Sequence, residues 1–333
     1  MKTLSTSIVL STALFANANA ADLKRLDGAV MQRLKSNFEG SIAMSQEKGQ
    51  YEFKTPAGGS ILTYDKMKSN QFLWDAKYKI FTQGIDNFFV YASGNFGKIR
   101  KGEVRDDDVR NLASGMSFHQ LGGNLRQRKI GIGYSFDASK LSEKLNSHII
   151  SFDIAYFKKN VNTKSYGHGY SFYGSQTTMV DDGSGTLTPY TTPETMTHDY
   201  DNGNDLNSNG IFEGLSIGSK IEKIIDQDSS ISLAANALIT SYRARNFWRA
   251  RDINWGLHES GNMGLNGFDM RAEYLTNITN HVDLSLFAYY QQIKTKKLNE
   301  FENGEGYMPS DMLIHSSYAF VKSYGIGAGF KFS

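Results

Sequence analysis

Ten segments of this 333-residue chain alternate apolar and polar residues one for one, and no run of about 20 apolar residues follows the first twenty. In "HVDLSLFAYY" the apolar set is Val282, Leu284, Leu286, Ala288 and Tyr290, while Asp283, Ser285, Phe287 and Tyr289 take the other face. In "SISLAANALITS" the odd positions Ile231, Leu233, Ala235, Ala237 and Ile239 are apolar and the even ones are mostly small or polar. The same pattern runs through 38–44, 72–80, 88–96, 130–136, 150–156, 215–221, 268–274 and 324–332. A period of two means strands, each with one face unlike the other.

The unlike face carries charge: Glu39, Asp75, Lys77, Lys79, Asp153, Lys220, Glu222, Asp269, Arg271 and Glu273. In a soluble β-sandwich one face of each strand is core, and so many ionised groups are too costly to bury there unpaired. In a transmembrane barrel the apolar face meets lipid and the charged face meets the lumen, with about 9–11 residues needed to cross at a tilt. The sequence therefore predicts an all-β chain, a ten-stranded antiparallel transmembrane β-barrel with long extracellular loops, over 37–333. A soluble sandwich is the alternative. The chain ends on "YGIGAGFKFS", an alternating aromatic segment similar to the C-terminal strand by which outer-membrane barrels are recognised, with Ser333 as one residue more.

Composition narrows the setting. The first twenty residues, "MKTLSTSIVLSTALFANANA", have one lysine, a short apolar stretch and small residues at Ala18 and Ala20, the pattern of a cleavable secretory signal. Residues 21–36 place Leu23, Leu26, Val30 and Leu34 at helical spacing, readable as a short periplasmic helix or as a tail. With no cysteine, an exported chain takes no stability from disulfides. A formal net charge of +2 gives no reason to expect a nucleic-acid partner. Connections alternate between short ("IDQDSS", "NITNH") and long (roughly 47–69, 99–127, 160–211, 246–265 and 297–316), as expected when both termini are periplasmic and the long links extracellular.

Local motifs add a resemblance. The stretch from "FEGSIAMSQEKGQYEF" to "FLWDAKYKI" resembles the first hairpin of the omptins, the surface proteases of Gram-negative outer membranes, and "GEVRDDD" resembles their Gly-x-x-x-Asp-x-Asp loop with Gly102, Asp106 and Asp108. Where the family carries Asp-x-His, this chain reads "RDINW", with Asp252 and Asn254. The resemblance implies an endopeptidase that holds a water between two acidic pairs. Asp106 and Asp108 would position the water and Asp252 would orient a base. Asn254 cannot be that base because an amide accepts no proton near neutral pH, which leaves His258 as the candidate. On the residues alone, the aspartate run reads equally as a solvated turn, Asp252 as a surface ion pair with Arg249 or Arg251, and His258 as a loop histidine.

Continuing the strand beyond Ile239 puts Arg243, Arg245 and Arg249 on the lipid-facing side, level with outer-leaflet head groups. There arginine can grip lipopolysaccharide phosphate, or simply form a basic rim. The resemblance implies that lipopolysaccharide is required. No other cofactor is expected, and "GHGY" around His168 has no second ligand at metal spacing. Three functions follow: a monomeric omptin-like surface endopeptidase acting on peptide or protein substrates, a binding or adhesion protein of the same fold that has lost proteolysis, and a small channel.

Overall fold

The computed structural model describes residues 37–54, 61–82, 85–108, 114–118, 120–166, 170–181, 187–198, 204–248, 255–303 and 314–332. Ten strands form the wall: β1 (Phe38–Lys54), β2 (Ile61–Thr82), β3 (Ile85–Asp108), β5 (Gln120–Asp137), β6 (His148–Tyr166), β9 (Asn204–Ile224), β10 (Ser229–Trp248), β11 (Trp255–Thr279), β12 (Val282–Asn303) and β13 (Ile314–Phe332). Each pairs antiparallel with its neighbours, and pairing of β2 with both β1 and β3 closes the sheet. The ten-stranded barrel expected from alternation is present.

The register fixes its dimensions. From Ile80 the successive partners are Phe88, Tyr134, Phe152, Ser219, Ala235, Met270, Tyr290, Tyr324 and Lys48, and the circuit returns to β2 at Lys68. The return point lies twelve residues from the start, and this is the barrel's shear. With standard strand spacings, ten strands and this shear give a tilt of about 40° and a backbone radius of about 10 Å. Inward side chains from opposite walls of so narrow a cylinder meet near its axis.

The outer face shows a belt of exposed apolar side chains, among them Ile42, Met44, Trp74, Val90, Ile132, Ile154, Ile217, Leu286 and Ile326. On β2 it runs from Phe72 to Ile80, which makes the belt on the order of 20–25 Å tall, the height of a bilayer core. The inner face is buried, and glycine serves its packing. Gly325, Gly327 and Gly329 of β13 leave no room for a Cβ against Tyr289, Phe287 and Ala43. The glycine alternation of "YGIGAGFKFS" is thus the lumen half of a strand whose other half, Tyr324, Ile326 and Phe330, is belt.

The strands outlast the belt, and most of the segments expected to be long loops begin as strand. β1 continues to Lys54 and β2 starts at Ile61, inside the expected 47–69 link. Beyond the belt the outer face turns polar, so hydropathic alternation stops while the hydrogen-bond ladder does not. From the distal end of β3 the sheet extends outward through β4 (Ser114–Phe118), β7 (Tyr170–Asp181) and β8 (Leu187–His198), the last two forming a hairpin within the expected third loop. At the opposite end, the one bearing residues 38 and 332, the β5–β6 link folds into two 3₁₀ turns, Ala138–Lys140 and Glu143–Leu145, capped by Asp137 and Ser142. The signal-like segment and 21–36 lie outside the described residues.

A barrel in lipid and a soluble sandwich respond oppositely to one substitution. Ile132→Arg at mid-belt should destabilise the protein folded in lipid vesicles by about 2–4 kcal/mol in a urea titration, whereas on a water-facing strand it would be nearly neutral.

Candidate functional site

The lumen divides into two zones along its axis. In the half nearer residues 38 and 332 the inward charges pair with neighbours on the same or the adjacent strand. Glu39 binds Lys79 at 2.5 Å and Lys331 at 3.3 Å. Lys220 meets Glu222 at 3.0 Å, and Arg271 meets Glu273 at 2.7 Å. Higher up, Lys129 on β5 reaches Asp269 on β11 at 2.9 Å, and Asn236 donates to the same carboxylate at 2.5 Å. Lys159 on β6 donates to Gln291 on β12 at 2.5 Å, and Gln291 donates onward to Gln127 at 3.0 Å. Tyr289 donates to Glu47 at 2.8 Å, and Tyr91 to Asp153 at 2.6 Å. Of these links, Lys129–Asp269, Lys159–Gln291 and Gln291–Gln127 join strands far apart in the wall and so span the lumen.

Distal to this network lies an apolar plug that includes Tyr51, Tyr64, Met67, Ile99, Phe157, Phe212, Tyr242 and Ile293. Tyr51 on β1 and Tyr242 on β10 join hydroxyl to hydroxyl across the axis, Tyr51 stacks obliquely on Tyr64 at 5.4 Å, and Phe212 lies 4.7 Å from Tyr242. Gly210 is required here, because a Cβ on it would sit 2.6 Å from the Tyr51 hydroxyl. Plug and network together fill the lumen over the height of the belt.

Above the plug stands the distal rim, where the sequence places its catalytic candidates. A bulge decides the phase of β3. Ile99 pairs with Ser69 and Lys101 with Lys68, Arg100 is left over, and Ile99 and Gly102 are both buried. The inward parity changes from odd to even there, and Val104 (1% exposed) carries it on. Asp106 and Asp108 occupy the next two even positions of β3, with Asp106 in register with Leu62 and Met116. Their side chains lie outside the described residues, as do Arg249, Asp252 and Asn254 altogether. On β10, Tyr242 is inward and Ala244 follows it. Pairing does persist to His258, but it sets that residue opposite Arg245, which is exposed, rather than in phase with Tyr242. The side chain of His258 is outside the described residues. Among the described residues no group of three or more His, Asp or Glu stands close enough to hold a metal ion.

On the outer face, at the level of the plug, the belt gives way to a collar of cations. Arg243 and Arg245 are exposed there as expected, and they have company the sequence reading missed: Lys48, Lys68, Lys98, Arg100, Arg126, Arg128, Lys158, Lys294 and Lys322. Several cover aromatic rings, with Lys294 at 4.1 Å from Tyr318 and Arg126 at 5.2 Å from Phe96. The usable signal was the rule already applied to Arg243: the outward parity of every strand, continued one turn beyond the last belt aromatic. At Glu213 the collar has a defined cluster. This carboxylate binds Lys158 at 3.0 Å and Arg243 at 3.1 Å and accepts from the Tyr156 hydroxyl. A cavity of about 560 Å³ adjoins it, bounded by Tyr156, Glu213, Ser241, Arg243 and Met263. At the same level, burial and the 2.8 Å hydrogen bond to Glu52 push the Tyr318 phenol up to about 12.

No family model and no curated protein matches the sequence. Among solved structures, the outer-membrane protease OmpT from Escherichia coli is similar in fold: TM-score 0.64 at 11% identity, covering 89% of this chain and 96% of that one. Neisserial surface protein A matches at TM-score 0.28 and 10% identity, over 89% of this chain and 97% of that one. The translocator domain of the autotransporter NalP from Neisseria meningitidis matches at 0.32 and 8%, over 94% and 95%. The fold is that of an outer-membrane β-barrel.

Among the described residues, cross-wall pairs and an aromatic plug occupy the lumen. Proteoliposomes containing the protein should not swell in small sugars, and Phe157→Ala with Tyr242→Ala, which thins the plug, should swell faster than the parent.

Proposed function

We propose that this protein is an omptin-like barrel of the Gram-negative outer membrane, held by lipopolysaccharide at its cationic collar, with its distal end outside the cell and a peptide-cleaving site at the distal rim. The observation that carries the orientation is the collar. It lies at one end of the belt only, and phosphorylated glycolipid is the strongly anionic component of the outer leaflet. Arg243 with Lys158 and Tyr156 around Glu213 supplies more positive than negative charge beside a cavity. That arrangement suits phosphate, which Arg binds bidentately.

The rim chemistry rests on the aspartates. The reading is supported by register: Asp106 and Asp108 continue the even positions of β3 that begin with buried Val104. In this reading the two carboxylates orient a water for attack on a peptide carbonyl, with Asp252 as the partner that the resemblance implies. The same fold supports a second reading, a binding or adhesion protein, which Asn254 favours, since the position resembling the omptin histidine holds a group that cannot take the water's proton. The register of His258 with Arg245 does not favour it as the substitute base. The filled lumen disfavours a channel.

The protein refolded with lipopolysaccharide should cleave members of a diverse peptide library, with Asp106→Asn and Asp108→Asn each abolishing cleavage while the folded form still migrates faster unheated than boiled. Asn254→His should raise the rate by about 10²–10⁴-fold, the usual worth of a positioned base. If the parent is inert and Asn254→His gains cleavage that depends on Asp106, the binding-protein reading replaces the protease.

A further inference from the structure

Half the circumference away from Glu213, the collar holds a second cluster of a different kind. Lys48 on β1 and Lys68 on β2 are direct cross-strand partners. Lys48 also pairs with Tyr324 on β13, which puts Lys322, two residues along, on the diagonal. Like charges placed directly opposite on one sheet face destabilise it, and Cβ atoms in such pairs are only about 4.5–5.5 Å apart. Among the described residues no carboxylate forms a salt bridge with any of the three lysines. Lys66, the fourth nearby lysine, is engaged: Glu103 holds it at 2.9 Å, and that hydrogen bond raises its pKa. Asp65, the one acid lining the cavity, accepts from the Lys66 backbone N–H at 2.7 Å.

The backbone makes a recess at this place. The register of β1 against β2 slips between Gly49 and Tyr51, leaving Gln50 unpaired opposite Asp65 and Lys66, and Lys66 takes a positive φ of 51°. The result is a cavity of about 380 Å³ on the outer wall, lined by Lys48, Lys68, Lys322, Gln50 and Tyr324. Tyr324 is 48% exposed and belongs to the belt's upper edge, so a molecule in the recess has its tail end in the apolar zone and its head among the lysines.

We propose that this recess binds the phosphate of a membrane lipid head group, independently of the Glu213 cluster, so that one barrel holds two phosphorylated lipids on opposite sides. The site differs from the first in that its one acid, Asp65, forms no salt bridge with the three lysines: the ligand itself supplies the anion that relieves the Lys48–Lys68 repulsion. The proposal rests on the collar facing the outer leaflet, as argued above, and adds a second position and a stoichiometry.

Native mass spectrometry of the full chain, folded in detergent and titrated with lipid A, tests it. The parent should carry two lipids. Lys48→Gln/Lys68→Gln/Lys322→Gln should carry one, with the second binding step weakened about tenfold or more, and Lys158→Gln/Arg243→Gln should carry the other one. Removing equal charge elsewhere on the outer face by Arg126→Gln/Arg128→Gln/Lys164→Gln should leave the recess lipid in place. Enzymatically dephosphorylated lipid A should lose the recess site, and inorganic phosphate at the same concentration should not displace the lipid. Two lipids on the triple-lysine variant, or equal weakening by the control triple, overturns the site. Displacement by inorganic phosphate overturns the lipid as its ligand. Loss of only the Glu213 site's lipid in every variant sinks this proposal and leaves the Arg243 reading standing, and the reverse pattern does the opposite. The gel-mobility shift on heating verifies folding of each variant.

Discussion

Closure of the hydrogen-bond ladder is the constraint on which everything else in this molecule depends. A strand in hydrocarbon has no water to satisfy its backbone groups, so the sheet must have no edge where lipid surrounds it. Here the β2–β3 and β1–β2 pairings meet and the edge disappears. Ten strands with a shear of twelve then leave a lumen about 20 Å across between backbones, which side chains from both walls can fill. The free edge at β8 lies on the distal extension, beyond the belt, where water is available to it.

Filling that lumen with polar groups looks expensive until the partners are counted. Lys129 and Asp269, Glu39 and Lys79, Arg271 and Glu273 are each paired, and Asn236 and Ser285 add hydrogen bonds to the Asp269 and Glu273 carboxylates. Removing one partner would leave a buried charge unpaired, at about 3–5 kcal/mol. The Lys129–Asp269 and Lys159–Gln291 contacts join strands far apart in the ring, and these fix the barrel's cross-section more firmly than the wall alone. The aromatic plug adds to this at the level where the belt ends, and gives the distal rim a rigid floor.

The same axial level carries the outer cations, and this coincidence organises the proposed biology. Inside, the plug separates the rim from the lumen; outside, the collar marks where head groups meet the wall. The proposed rim site would thus be held by a stiff cylinder, with lipid phosphate at the collar as its proposed outer support.

Alternation by itself determined the strand count, the antiparallel order and which residues face lipid, because a period of two is dictated by the pleat and one face had to be apolar. It also placed Tyr242 inward and Arg243 outward, since β10 runs unbroken from Ser229 to Trp248. It could not determine how far strands continue past the belt, because an all-polar ladder has no hydropathic signature. Nor could it set the phase of Asp106 and Asp108, because one surplus residue at Arg100 inverts the faces of all that follows, and only cross-strand pairing shows the bulge. The Lys48–Lys68 juxtaposition was set by the β1–β2 register and its slip at Gln50, and the cross-lumen pairs were decided by shear: which residues of strands far apart in sequence share a height depends on how the closed sheet is staggered, a property of the whole ring that no local stretch of sequence contains.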